Sequence, residues 1–402
     1  MKLARTVAVS SVILWFWGGV SLGSGSHNVE IIVNQSLYNS GDISAALNQY
    51  ISDACDQGYN PILTPSTFTT AAEIRSHLAS TYGSVGLAGA ILIGDLPAEH
   101  FERNGQFDDP CWYERFPCDL YYEDLNGSWS DATGNGTYDK HTGDARPEIW
   151  VGRMTASPLT SMHDGRTEAS LLNDYFQKNH AYRTKQLSVL PRGLAYIDDD
   201  WIPYATTWAN NLSASVTGGV TTVSSGVTTT ASDYKSRILS EYESLLLAAH
   251  SSSGGHAFKI GSEWTGGSVY SSDIAGLDPQ ILFYNLFCCS NANYEATWYM
   301  GGEYLFGTSK GLVAVGSTKT GSMLNFDDYY DPLGQGKTFG QSLLAWWQAQ
   351  ASDGTYSNYY KDWFYGMTLL GDPLLLTQQY IPEPATLSLL ALGTLTLLRR
   401  RR

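Results

Sequence analysis

Short apolar runs alternate with longer amphipathic ones along most of the chain. Val29-Glu30-Ile31-Ile32-Val33 reads as a strand. Ile43 to Ser52 carries Ala45, Ala46, Leu47 and Ile51 at helical spacing, and Pro61-Ile62-Leu63 is a second short strand. Thr70 to Leu78 reads as a helix with Thr69 or Thr70 placed to cap it. Ala88 to Ile93 is apolar throughout, as in a strand buried on both faces, and it ends in Gly94-Asp95. Further strands are expected at Pro147 to Met154, Gly193 to Ile197, Leu245 to Ala249, Ile281 to Phe287 and Gly311 to Gly316. Helices are expected at Thr167 to His180 and over 232–242. Strands alternating with helices predict an α/β fold with a mostly parallel sheet flanked by helices. Residues 103–147 break the pattern with a polar, Gly-, Asp- and Tyr-rich excursion. No internal repeat is evident.

Composition narrows the class. Hydrophobic residues make up 43% of 402 and aromatics 13%, enough for a sizeable core and too many for a disordered chain. The net charge is −15, and six of the 24 basic residues lie in the terminal segments. Without those segments the body stands near −20. A surface of that sign excludes a nucleic-acid binder, which needs a basic face.

Both ends read as addresses. Lys2 and Arg5, the apolar run Val7 to Val20 and the small residues Ser21 to Ser24 form a signal-peptide pattern over 1–24. At the other end Pro382-Glu383-Pro384 precedes the apolar run Ala385 to Leu398 and four arginines, Arg399 to Arg402. Fourteen apolar residues make a helix of about 21 Å, short against a hydrocarbon core of about 30 Å. This tail, 380–402, resembles the PEP-CTERM sorting signal of bacterial surface proteins. The resemblance implies transient membrane anchoring, recognition by an exosortase-type enzyme, and delivery to the cell envelope, surface or extracellular matrix. Of the five cysteines, Cys111 and Cys118 are spaced for a local disulfide in an oxidising compartment, and no spacing matches a zinc site.

Chemistry gathers at strand ends. In an open parallel sheet, ligands bind beyond the carboxyl ends of the strands. Leu245 to Ala249 runs into His250, and Ile281 to Phe287 into Cys288-Cys289. A thiolate is a nucleophile, and a facing His both forms it and protonates a leaving amine. Backbone N–H groups after the Cys are candidates for an oxyanion hole. A second candidate base, His256, follows Gly254-Gly255. Gly193 to Ile197 runs into Asp198-Asp199-Asp200, carboxylates of the kind that can hold an imidazole tautomer or pair with Arg or Lys. An N-cap and loop role is the competing reading. Asp124, Asn126, Asp131, Asn135 and Asp139 offer hard oxygen ligands of the kind Ca²⁺ takes, though not in an EF-hand spacing. Trp264 and Trp346-Trp347 are expected in the core or as a cleft wall.

The order of these motifs resembles the gingipain-type cysteine peptidases, which have a caspase-like fold of two similar subdomains. The matching stretches are Ile91 to Asp95, Asp119 to Tyr122 and Pro147 to Arg153 in the first half. In the second half they are Leu245 to Ser253, Cys289 to Tyr294, Gly302-Glu303, Leu312 to Thr318 and Leu369 to Leu376. The resemblance spans about residues 29–378. It implies subdomains over 25–182 and 183–379, the second catalytic, with Cys289 as nucleophile and His250 as base, and with an acidic group of the triplet, Asp199 slightly ahead, orienting the His or lining a pocket for a basic substrate side chain. It implies a protein or peptide substrate, adds support for structural calcium, and needs no cofactor for catalysis. The expected function is an exported cysteine endopeptidase. The alternative is a catalytically inactive surface-binding or structural protein on the same fold.

Overall fold

The structure is a computed structural model, which describes residues 27–351 and 353–382. The segment 1–24, read as a signal peptide, and nearly all of the sorting tail lie outside the described residues. Ten strands form one sheet. They are β1 (Asn28–Asn34), β2 (Asn60–Ser66), β3 (Gly89–Ile93), β4 (Trp150–Met154) and β5 (Gly193–Ile197), then β6 (Val220–Val223), β7 (Tyr242–Ala248), β8 (Ile281–Phe287), β9 (Val313–Ser317) and β10 (Met367–Gly371). Their order across the sheet is β6-β5-β7-β8-β9-β10-β4-β3-β1-β2. Every neighbouring pair is parallel except β9 and β10, so the sheet is two parallel halves that meet at one antiparallel seam.

The apolar runs read as doubly buried strands are so because helices cover both faces. Along β7, Leu245 and Leu247 face one core and Leu246 and Ala248 the other, the period-2 alternation of a strand. Helices Ser44–Asp56 and Glu168–Arg183 lie on the first side, and Phe339–Gln350 on the second. Trp346 and Trp347 are fully buried in that second core. Thr70 caps its helix (Ala71–Val85) in a reciprocal box with Glu73. The segment expected to be helical to 242 stops at Arg237, and Tyr242 already begins β7.

The closing strand β10 belongs by direction to the first half although it comes last in the chain. Its tight fit is set by Gly152 of β4, where a Cβ would lie 2.5 Å from the Pro373 ring. Asp372, fully buried, accepts from Tyr50 (2.7 Å), Asn179 (2.7 Å) and Arg183 (2.5 Å), which ties the strand to two helices beneath.

The polar excursion folds as a hairpin, His100–Gln106 with Asp109–Pro117, followed by a smaller one, Ser128–Ser130 with Lys140–Thr142. The hairpin removes the expected Cys111–Cys118 bridge. Both thiols are free, one exposed and one buried. Seven residues along an extended strand span about 23 Å at ~3.3 Å each. A disulfide needs Cα atoms within about 7 Å.

Candidate active site

Three strand ends converge on one edge of the second half-sheet. β7 and β8 are in parallel register, with Ala248 opposite Phe287, and the Ala249 N–H still donates to the Phe287 carbonyl at 3.3 Å. Carried two residues on, that register sets His250 level with Cys289. Adjacent strands are about 4.8 Å apart. Beyond this point both chains leave the main sheet. His250–Ser252 enters a three-stranded antiparallel sheet with Gly255–Ala257 and Ser268–Tyr270. Cys289 is followed by Ser290 in left-handed backbone (φ 56°), whose N–H donates to the Lys319 carbonyl at 2.8 Å. The Asn291 amide donates to the Ser251 hydroxyl at 3.2 Å and ties the two departing segments together.

His250 is held from outside. Its Nε2 lies 2.6 Å from Asp200 Oδ2, and Lys259 Nζ lies 2.6 Å from the same oxygen. Burial would raise the Asp200 carboxyl, but the hydrogen bonds from Lys259 and His250 outweigh it and hold the group below the ordinary carboxylate value. The rings of Trp201 and Trp264 flank His250, each with centroids 4.7 Å away. Trp264 is 60% exposed and forms an outer wall, with Lys259 Nζ over its ring at 4.8 Å. With Nε2 engaged, Nδ1 is the ring nitrogen left for chemistry.

The acidic triplet divides its roles differently from the sequence expectation. Asp200, not Asp199, bonds His250. The Asp199 carboxylate oxygens are buried without partners, and burial followed by the Asp200 charge raises the group. Asp198 is fully buried and accepts from the Lys259 N–H at 3.0 Å, with burial again raising its pKa. One-residue steps in a 3₁₀ turn (Asp199–Tyr204) point successive side chains in different directions, and no periodicity distinguishes them beforehand.

Cys289 is partly exposed, whereas Cys288 is buried, with its thiol 3.8 Å from the Leu247 carbonyl. Burial raises both thiols. At Cys289 it is opposed by an N–H hydrogen bond from Gly321 and by the Lys319 charge. After the Cys, the N–H groups of Ser290, Ala292 and Asn293 are engaged within the protein and are not available as an oxyanion hole. Ser290 donates to Lys319, Ala292 to Ser317 and Asn293 to Ser290.

His256 lies elsewhere. It is 1% exposed, Nε2 is 3.0 Å from the Tyr304 hydroxyl, and that hydroxyl is 2.7 Å from Tyr234. Desolvation pushes it down to about 3. It is paired across the small sheet with Ser251, so its side chain enters the helix-covered core below the sheet edge.

The five oxygen ligands singled out in the excursion do not share a centre. Asp124 is buried against His141 and accepts from Gly127 N–H at 2.6 Å, and Asn126 donates to Glu148. Asp131 accepts from the Gly134 and Gly136 N–H groups, Asp139 from Ala132, and Asn135 donates to Glu102. Among the described residues no group of three or more His, Cys, Asp or Glu is arranged to hold a metal. Asp124, Asp131, Asn135 and Asp139 each have a side-chain oxygen met by an N–H of the protein itself, so the set does not fit a common calcium ion.

The sequence reading named neither Lys259, Trp201, Lys319 nor Glu114. The signal for Lys319 was present, since it follows the strand adjacent to that of Cys289.

A mostly parallel α/β sheet with helices on both faces, two similar halves and a Cys and a His at neighbouring strand ends defines a caspase-like fold. The chain is similar to the solved structure of gingipain R (RgpB), an Arg-specific cysteine proteinase, with a TM-score of 0.62 and 14% identity over 91% of this chain and 81% of that one. It is also similar to a complex of the pro- and mature domains of RgpB of Porphyromonas gingivalis, with a TM-score of 0.59 and 15% identity over 88% and 81%. No curated protein matches. Residues 381–402 match the PEP-CTERM protein-sorting motif. That match implies recognition by an exosortase-type enzyme and indicates export to the cell envelope or surface. No helix among the described residues is long and apolar enough to cross a membrane.

Proposed function

We propose that the chain is an exported cysteine endopeptidase. What supports this reading is the β7–β8 register, paired as far as Ala248 and Phe287, from which the two chains run on to His250 and Cys289 at the edge where parallel sheets bind ligands. Asp200 on Nε2 leaves Nδ1 for the thiol and steadies the imidazolium.

In the reaction so read, Cys289 gives its proton to His250 and its sulfur attacks the peptide carbonyl carbon, forming a C–S bond. The carbonyl oxygen takes up the negative charge, and the amide of Cys289 itself is the donor assigned to it. His250 then protonates the leaving nitrogen as the C–N bond breaks. Water, deprotonated by His250, attacks the thioester, and the C–S bond breaks to return the thiol. The two tryptophans beside His250 form the wall against which a peptide would lie. The sorting tail would hold the protein briefly at the membrane while it is processed.

A fluorogenic peptide library, offered to the full-length chain with reductant and to its Cys289→Ala variant, tests the reading. Cleavage lost in the variant supports it. Burial of the Cys289 thiol is the observation that favours the rival reading, a binding module that keeps the fold without the chemistry. That reading gives equal, negligible turnover by both proteins.

A further inference from the structure

Cys289 has a neighbour on each side of the sheet. On one side, register sets His250 level with it. On the other, β9 runs parallel to β8 with Asn285 opposite Val315, and the same step of four residues sets Lys319 level with Cys289. The Ser290 N–H donating to the Lys319 carbonyl at 2.8 Å shows that the two segments still run together there.

Lys319 is 1% exposed and its amine is fixed on all sides. Nζ donates to the Thr320 carbonyl and, at 2.5 Å, to the Asp362 carbonyl. It lies 3.4 Å from Glu114 Oε2, with the Phe107 ring beneath at 5.0 Å. Glu114 comes from the long hairpin of the first half of the chain, and its other oxygen accepts from the Thr320 N–H (3.0 Å) and hydroxyl (2.8 Å). The Asp362 carboxylate bonds Arg103 and the Phe107 N–H and adds a second, more distant negative charge to the Lys319 surroundings. Two residues after Lys319, Gly321 turns its N–H to the Cys289 sulfur. Its φ of 112° and a Cβ position 2.6 Å from the Trp363 carbonyl admit only glycine.

Burying an ammonium is costly, and a lysine at a strand end ordinarily reaches solvent. Here the cation is kept in by one carboxylate and two carbonyls, beside a sulfur that must carry negative charge to react. Burial lowers the amine to about 8 even with Glu114 opposing, so it is still protonated at neutral pH.

We propose that Lys319, clamped by Glu114 of the first-half hairpin, is the fixed cation that supports the Cys289 thiolate, and so a positioning residue for the nucleophile. The thiolate lies between an imidazole that changes charge during turnover and an ammonium that does not. The hairpin is thereby part of the nucleophile's environment although it carries none of the reacting atoms. The proposal deepens the peptidase reading and rests on it for its purpose, but the test below does not need turnover.

The test is the iodoacetamide alkylation rate of Cys289 in the full-length chain at pH 7, assigned by peptide mass spectrometry, with the exposed Cys55 and Cys111 as internal references. In Lys319→Met the rate at Cys289 is expected to fall roughly tenfold, the effect of one pK unit, with the reference rates unchanged. Lys319→Arg is expected to recover most of it. Glu114→Gln/Lys319→Met removes both charges and leaves no orphaned carboxylate, so it is the variant to read where Lys319→Met does not fold. The same fall is expected there. Wild-type alkylation in either Met variant, or an equal fall in Lys319→Arg, overturns the proposal. If cleavage depends on Cys289 while its alkylation ignores Lys319, the proposal fails and the peptidase reading stands. If alkylation follows Lys319 without any cleavage, the converse holds.

Discussion

One oxygen of Asp200 holds two cations or cation-formers at once: His250 Nε2 at 2.6 Å and Lys259 Nζ at 2.6 Å. The carboxylate therefore fixes which imidazole nitrogen is left for Cys289 in the proposed reaction. Asp200→Asn removes the charge and can present an N–H to Nε2, favouring the wrong tautomer. We expect kcat/KM for peptide cleavage to fall about 10–100-fold. That is less than the ~10⁴-fold loss at a fully buried triad aspartate, because Asp200 is reached by solvent that partly substitutes for it. Because the Asp200 carboxyl is held low in the folded protein, the contact is intact above the ordinary carboxylate pKa. It is lost as pH falls through the depressed folded value. An unchanged pH–rate profile and unchanged kcat/KM in the variant would contradict the role.

His256 makes the opposite prediction. Its folded pKa is depressed to about 3 by burial, so the imidazole stays neutral in the folded chain while the unfolded chain takes up a proton below about 6.5. Stability from this group is present above the unfolded pKa and is lost as pH falls from there toward 3. Between pH 6 and 4 the wild type should lose up to about 1.4 kcal/mol more per pH unit than His256→Gln, as measured by urea unfolding. The variant's kcat/KM at pH 7.5 should stay within about twofold of wild type, since a histidine buried in the core acts on stability and not on chemistry. A large loss of turnover in a stably folded His256→Gln would restore it as a candidate base.

Asp119 joins the seam of the two half-sheets. It is buried and accepts from Arg153 Nε (3.1 Å) and Nη2 (2.6 Å), from the Tyr294 hydroxyl (2.9 Å) and from the Thr368 hydroxyl of β10 (2.6 Å). Burial alone would raise the carboxyl, but Arg153 and the hydroxyl donors outweigh it. Asp119→Ala leaves a buried guanidinium without its counter-charge, and we expect about 3–5 kcal/mol of destabilisation in urea unfolding. Asp119→Leu/Arg153→Met, which removes both charges, should lose clearly less. Equal losses would mean that packing and not charge pairing governs this site.

Much of the strand framework was legible because doubly covered strands are continuous apolar runs. Gly193–Ile197 and Ile281–Phe287 fall where the pattern put them, and β7 begins three residues before the run that signalled it. The strand-end rule then pointed to His250 and to the pair Cys288-Cys289 without any contact information, and the family resemblance chose Cys289. What the pattern left out depends on direction and on distant partners. Asp199 and Asp200 look alike in sequence, and only the 3₁₀ turn decides that Asp200 meets His250. His256 reads as a base because glycines precede it, yet its strand pairing sends the ring into the core. Glu114 lies 205 positions before Lys319, and nothing local links them before the hairpin is folded against the second half. Cys111 and Cys118 read as a bridge only while the segment is taken for a loop. As an extended strand it holds them apart.

The central claim is that Cys289 and His250 act as one unit. It is tested most directly by active-site labelling with a peptidyl acyloxymethyl ketone, which alkylates a cysteine only after the enzyme has bound and polarised its carbonyl. The full-length chain should be labelled at Cys289 alone, and labelling should disappear in Cys289→Ala. It should fall by about 10²–10⁴-fold in His250→Ala, the range of a positioned acid–base group. His256→Gln and Cys288→Ala should be labelled as wild type. Labelling that persists at Cys289 in His250→Ala, or moves to Cys288, would contradict the account.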